Sequence, residues 1–129
     1  MNFMTNSVAP SITLTPTTNS FPFPSKRVTL SQNSTCLASE LLASRNAAPV
    51  SISTPHAEVW IHDNQVLIRD RRSSYGTLVN GVRIDQQTLL RSGDVVTLGA
   101  RLARSSGTPS HITEDQLKPI EATVTLIGL

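Results

Sequence analysis

Ser53, His56 and Asp70 are the residue types of a hydrolytic relay: a hydroxyl nucleophile, an imidazole base and a carboxylate to orient the base. The types alone do not make a catalyst, because nothing in their spacing supplies an oxyanion hole or sets the base against the nucleophile. The chain therefore reads as a non-enzyme. The stretch RDRRSSYGTLVNG, residues 69–81, offers a different chemistry. Arg69, Arg71 and Arg72 crowd one loop beside Ser73 and Ser74, which raises a nucleic-acid reading. As a nucleic-acid footprint it is thin, since the arginines have no interleaved aromatics to stack on bases. Cys36 is the single cysteine, so no internal disulfide forms, and its expected role is that of a small buried apolar residue. No cysteine or second histidine stands at ligand spacing from His56, so no metal and no cofactor is expected.

These residues need a scaffold, and 129 residues suffice for one domain with its own core but not for two. Eight prolines, six glycines and many Ser and Thr residues punctuate short apolar runs, a pattern for strands rather than a helical bundle. Eleven Lys and Arg against nine Asp and Glu leave a net charge of +2, too small to make polyanion binding the leading idea. No apolar run is long enough for a membrane span, and no charged-then-apolar leader opens the chain. With an unpaired cysteine, this predicts an intracellular protein, cytoplasmic or nuclear.

Residues 1–10 are polar and aperiodic and read as a flexible tail, which leaves 11–129 as the domain. SITLT alternates Ile12 and Leu14 with hydroxyl residues, as a half-buried strand does. In FPFPSKRVTL the prolines keep Phe21 and Phe23 out of helix and out of a central strand, and Val28 and Leu30 resume the two-residue period. Residues 34–49 stay ambiguous: LASELLASR has helical propensity, yet Cys36 and Leu37 could equally end a strand. AEVWIHDNQVLIRD divides at HDN into a hairpin, with Val59 and Ile61 on one face and Trp60 on the other. Asn80-Gly81 between TLV and VRI is the strongest hairpin signal, because both central residues of a tight I′ turn need positive φ. A turn at Ser92-Gly93-Asp94 leads into Val95–Leu98, and IEATVTLIGL puts Ile120, Ala122, Val124 and Leu126 on one face. Regular short strands without a long helix predict an all-β, antiparallel sandwich.

Ser53-Thr54-Pro55-His56-Ala57, Ser73-Ser74-Tyr75-Gly76-Thr77, Asn80-Gly81, Gly93-Asp94 and Leu98-Gly99 together resemble the forkhead-associated (FHA) domain. Their order and spacing match over roughly 45 residues, a fairly specific combination. FPFPSKRVTL and HAEVW look further like the subgroup that includes the sarcolemmal-membrane-associated protein and its fungal relatives. The resemblance implies a sandwich of about eleven strands. It also implies a module that binds a protein partner, phosphothreonine-containing in the family's usual mode, through loops at one end.

Family roles carry over residue by residue. In the Ser-x-x-His motif, Ser53 would donate to phosphate and His56 would tie the loop to the scaffold, while Thr54 replaces the arginine usual after the serine. In the following loop Ser74, Gly76 and Thr77 fit, and Tyr75 stands where the family has asparagine. The Gly-Arg pair whose arginine meets the phosphate falls on Ala38-Ser39, so that arginine is missing. Phosphothreonine carries about −1.5 to −2 charges and its oxygens prefer ionic donors. Losing one charged donor, at roughly 1.5–3 kcal/mol, weakens binding by about one to two powers of ten. Arg45 and Arg72 are the candidates for a relocated charge, set against ordinary solvated arginines. The expected function is an FHA-like interaction module with impaired or altered phosphothreonine recognition. The alternatives are a phosphate-independent scaffold and a nucleic-acid or polyanion-binding sandwich.

Overall fold

The computed structural model of this chain describes residues 8–129. The tail expected over 1–10 lies mostly outside the described residues, and the first strand begins at Ser11. In chain order the elements are β1 (Ser11–Pro16), β2 (Lys26–Thr29), β3 (Thr35–Cys36), helix α1 (Leu37–Leu42), β4 (Ala57–His62), β5 (Gln65–Asp70), β6 (Thr77–Val79), β7 (Val82–Arg83), β8 (Thr88–Leu90), β9 (Val95–Leu98) and β10 (Ile120–Ile127). A 3-10 turn at Asp115–Leu117 precedes β10. The strands form two antiparallel sheets, one ordered β2-β1-β10-β9-β6-β7 and the other β3-β4-β5-β8. The ambiguous stretch from 34 to 49 takes both of its options in turn, a two-residue strand and then the six-residue helix.

The two-residue period that predicts the strands also builds the core between the sheets. Ile12 and Leu14 of β1, Val59 of β4, Val66 and Ile68 of β5, and Ile120, Ala122 and Val124 of β10 are all buried. Each such side chain contributes roughly 1.5–3 kcal/mol by leaving water. Register follows from that alternation, with Leu14 opposite Val124 and Val59 opposite Ile68. Phe21 and Phe23 lie outside any strand, yet both are buried against this core.

The turns separate the two ends of the sandwich. Asp63-Asn64, with φ of 50° and 62°, and Asn80-Gly81, with φ of 51° and 81°, close two-residue hairpins. The flanking pairs are His62 with Gln65 and Val79 with Val82. The Asn80 amide also reaches the turn before β9, donating from Nδ2 to Asp94 Oδ1 at 3.0 Å and accepting from the Val95 N–H at 2.9 Å. At the other end Ala57 pairs with Asp70 and Thr77 with Leu98. The loops flanking these four residues therefore emerge side by side.

Candidate functional site

The loop before β4 and the loop after β5 are fastened to each other by hydrogen bonds within the chain. Ser53 Oγ accepts from the Ser74 N–H at 2.9 Å, and His56 O accepts from the Arg71 N–H at 2.8 Å. The His56 ring is fully buried. A three-residue spacing lets it turn back so that Nδ1 accepts from the Ser53 N–H at 3.1 Å. A main-chain N–H can only donate, so the ring proton sits on Nε2, which donates to the Gly76 carbonyl at 2.8 Å. Both ring nitrogens are thus committed to main-chain groups of two different loops.

Asp70, at the end of β5, organises the second loop. Its carboxylate accepts from the Ser73 N–H at 3.0 Å, the Ser73 hydroxyl at 2.6 Å and the Thr77 hydroxyl at 2.7 Å. Ser73 Oγ in turn accepts from the Gly76 N–H at 2.9 Å. Burial raises the Asp70 carboxyl, but the bonds from Ser73 and Thr77 outweigh it and hold the group below the ordinary carboxylate range. Gly76 takes φ of 91°, and a Cβ there would come within 2.8 Å of Arg83 Nε. The positive φ favours glycine here, and any Cβ would also have to displace the flexible end of the Arg83 side chain lying across it. This geometry does not make a catalytic relay of Ser53, His56 and Asp70: no bond joins the Ser53 hydroxyl to the ring, and Asp70 faces Ser73 and Thr77 instead.

The arginine cluster is only partly neutralised within the chain, two of its arginines sharing one carboxylate. Glu58 lies opposite Arg69 in the β4–β5 register and is buried. Its Oε1 accepts from Arg69 Nε at 2.7 Å, and its Oε2 accepts from Arg71 Nη1 at 2.8 Å and from Ser34 Oγ at 3.1 Å. Burial raises the Glu58 carboxyl, but these donors bring it below its usual range. Arg69 also stacks over Trp60, 5.5 Å from the ring centre. Arg72 is the one of the three that no carboxylate pairs with among the described residues; it is exposed, with φ of 57°.

Of the sequence candidates, Ser39, Ser53 and Thr54 come together on one shallow pocket of about 220 Å³. Ser74 adjoins through its bond to Ser53, and Tyr75 stands beside it, 43% exposed. Arg45 follows α1, its N–H donating to the Leu42 carbonyl at 3.0 Å with the residue exposed. Neither Arg45 nor Arg72 lines the pocket. Asn80 and Gly81 lie at the opposite end, where they shape the sandwich and not the loops. Sequence reasoning missed Asp70 and Ser73 as loop organisers, although an aspartate three residues before a serine at a strand end is a turn signal. It also missed Ser51, which is buried and whose hydroxyl accepts from the Ala100 N–H at 3.0 Å. Among the described residues no three His, Cys, Asp or Glu side chains cluster closely enough for a metal ion, and no helix is long and apolar enough to cross a membrane.

The sequence profile of the FHA domain matches residues 31–99. No curated protein matches the chain. Among solved structures, the FHA domain of CT664 from Chlamydia trachomatis is 28% identical, with 71% of this chain and 90% of that one covered and a TM-score of 0.53. The FhaA FHA domain, solved in complex with the intracellular domain of Rv3910, is 27% identical over 69% of this chain and 92% of that one, with a TM-score of 0.51. A domain solved in a structural and functional analysis of phosphothreonine-dependent FHA domain interactions is 22% identical, covers 92% and 99% of the two chains and has a TM-score of 0.57.

Proposed function

The chain belongs to the FHA domain family, and we propose from that premise that it is an interaction module whose loop end binds a partner peptide with weakened phosphothreonine recognition. The observation that carries this reading is the pairing of two loops by the Ser53–Ser74 and His56–Gly76 bonds, with Ser53 also lining a pocket that has no cationic side chain among the described residues. The FhaA domain engages the intracellular domain of another protein, which supports a protein partner here. The polyanion alternative loses ground because Glu58 occupies two of the three clustered arginines. The subgroup likeness rests on FPFPSKRVTL and HAEVW, segments that supply Phe23, Val28, Leu30, Ala57 and Val59 to the core and His56 to the loops, and it names no partner. The proposal takes 11–129 as the domain behind a short tail, and an intracellular setting consistent with a lone cysteine.

The test compares wild type with the double variant Ser39→Arg, Tyr75→Asn against matched phosphorylated and unphosphorylated peptide libraries. Ser39 lines the pocket and Tyr75 is exposed next to Ser74, whose N–H binds the pocket residue Ser53, so the variant adds an ionic donor and a bidentate amide without disturbing the core. Affinity for phosphothreonine peptides is expected to rise at least about tenfold, roughly 1.4 kcal/mol, and the gain to shrink with added salt. Tight phosphate-dependent binding by wild type, lost on Arg45→Ala or Arg72→Ala, would overturn the reading in favour of a relocated charge.

A further inference from the structure

The pocket beside α1 has chemistry of its own. Apart from the three hydroxyl residues already placed there, its walls are Cys36, Ala38, Leu42, Ala48 and Ile52. No lysine, arginine or histidine lines it. Its hydroxyls are partly committed: Ser39 Oγ donates to Cys36 Sγ at 3.4 Å, and Ser53 Oγ already accepts from the Ser74 N–H. A doubly charged phosphate entering here would leave water for an apolar wall with no ionic partner, an unfavourable transfer. At about 220 Å³ the space is also smaller than the roughly 300–1,000 Å³ of small-molecule sites. It suits one side chain of a larger partner.

We propose that this pocket takes an uncharged aliphatic side chain, of the leucine or methionine kind, from an extended segment of the partner protein, at the place where the family's phosphate-binding arginine is missing. The proposal rests on the reading of the loop end as the peptide site, and it names what that site selects. Charge decides the occupant, because a neutral wall matches a neutral side chain and penalises a charged one. The hydroxyls of Ser53 and Thr54 at the same pocket have protons to donate to the carbonyls of the peptide carrying that side chain. Leu42 and Ile52 pack against the core, so the apolar wall is fixed before the partner arrives. Ala48 is exposed on the pocket's edge, where a larger side chain would fill the space without entering the core.

Cys36 supplies a reporter, since it lines the pocket and is the only cysteine of the chain. The experiment selects binders from matched peptide libraries with and without phosphothreonine on the full chain and follows alkylation of Cys36 by a small thiol reagent with and without each selected peptide. The expected binders share an aliphatic residue at one position and slow alkylation at least about tenfold when saturating. Replacing that residue by aspartate or phosphothreonine lowers affinity by roughly 10- to 100-fold, as loss of one buried aliphatic side chain does. Ala48→Phe lowers it at least about tenfold, whereas Val82→Thr, at the exposed hairpin of the opposite end, leaves it unchanged, with equal unfolding midpoints showing that both variants fold. Selection of phosphothreonine at the position that protects Cys36 would overturn the inference. Binders that shift the Ser53 and Ser74 amide signals but neither protect Cys36 nor notice Ala48→Phe would overturn it while leaving the loop-end reading intact. Binders that leave those amides unmoved would remove both.

Discussion

Asp70→Asn tests whether the second loop is held by a carboxylate. In the wild type, one side chain accepts three hydrogen bonds, from the Ser73 N–H, the Ser73 hydroxyl and the Thr77 hydroxyl. Asparagine keeps one acceptor oxygen and turns an NH2 toward the remaining donors, so at least one charge-assisted bond is lost and another becomes repulsive. Such bonds contribute about 1.5–3 kcal/mol each, and because Asp70 is only half-buried the low end applies, for a net loss of about 2 kcal/mol. The acid dependence gives a second readout. The folded-state group titrates below its ordinary value of 3.8, so its stabilisation is complete above that value and is lost as pH falls through the lower folded-state value. Urea unfolding of both proteins at neutral pH and at a series of acid values is therefore expected to show a full difference down to about pH 4 that narrows below it. Equal stability at neutral pH, or a difference that ignores pH, would refute the assigned role.

Two further substitutions probe the scaffold. His56→Ala orphans the Ser53 N–H, removes one of the two donors to the Gly76 carbonyl, which still accepts from the Gly99 N–H, and leaves a buried void, so a loss of about 3 kcal/mol is expected in denaturant unfolding; a hydrolase activity abolished by the substitution would show instead that the ring is catalytic. A Cβ added at Gly81 meets no atom within 4 Å, so the cost of Gly81→Val comes chiefly from backbone conformation, on the order of 1 kcal/mol or more for a β-branched residue at φ of 81°. An unchanged melting temperature would contradict the turn at Asn80-Gly81.

The parts of the fold legible in the sequence are those where local chemistry has one solution. Asn80-Gly81 can be read because few residues accept positive φ at adjacent positions, and β10 can be read because Ile120, Ala122 and Val124 alternate without interruption. α1 could not be assigned, since the helical propensity of LASELLAS competes with strand pairing of Thr35 and Cys36 to β4, and only the tertiary context sets the boundary at Leu37. β8 escaped notice because three residues carry too little period to detect. Glu58 shows a different failure. Its outward position in the strand period implies exposure, but the side chains of Arg69 and Arg71 close over it from across the pairing, an arrangement fixed by register and not by local sequence.

The same distinction bears on what a motif match says about binding. His56, Gly76 and Thr77 are satisfied inside the chain, by the Ser53 amide, the buried ring and the Asp70 carboxylate. A loop end that needs those bonds to keep its shape retains those residues whether or not phosphate ever enters. Their agreement with the family pattern therefore reports architecture. Residues 39 and 75 carry no such duty: Tyr75 is exposed, and among the described residues the Ser39 hydroxyl hydrogen-bonds to the Cys36 sulfur alone. Ligand chemistry is free to change at these two positions without cost to the fold, and with Thr54 they are where the resemblance implies a departure from the family's usual residues. Ser53 stands between the two classes, since its hydroxyl braces the exposed Ser74 amide and still has a proton to donate to a ligand. A module of this kind can keep its scaffold while changing what it selects, because the bonds that hold the loops and the groups that would meet a peptide belong to largely different residues.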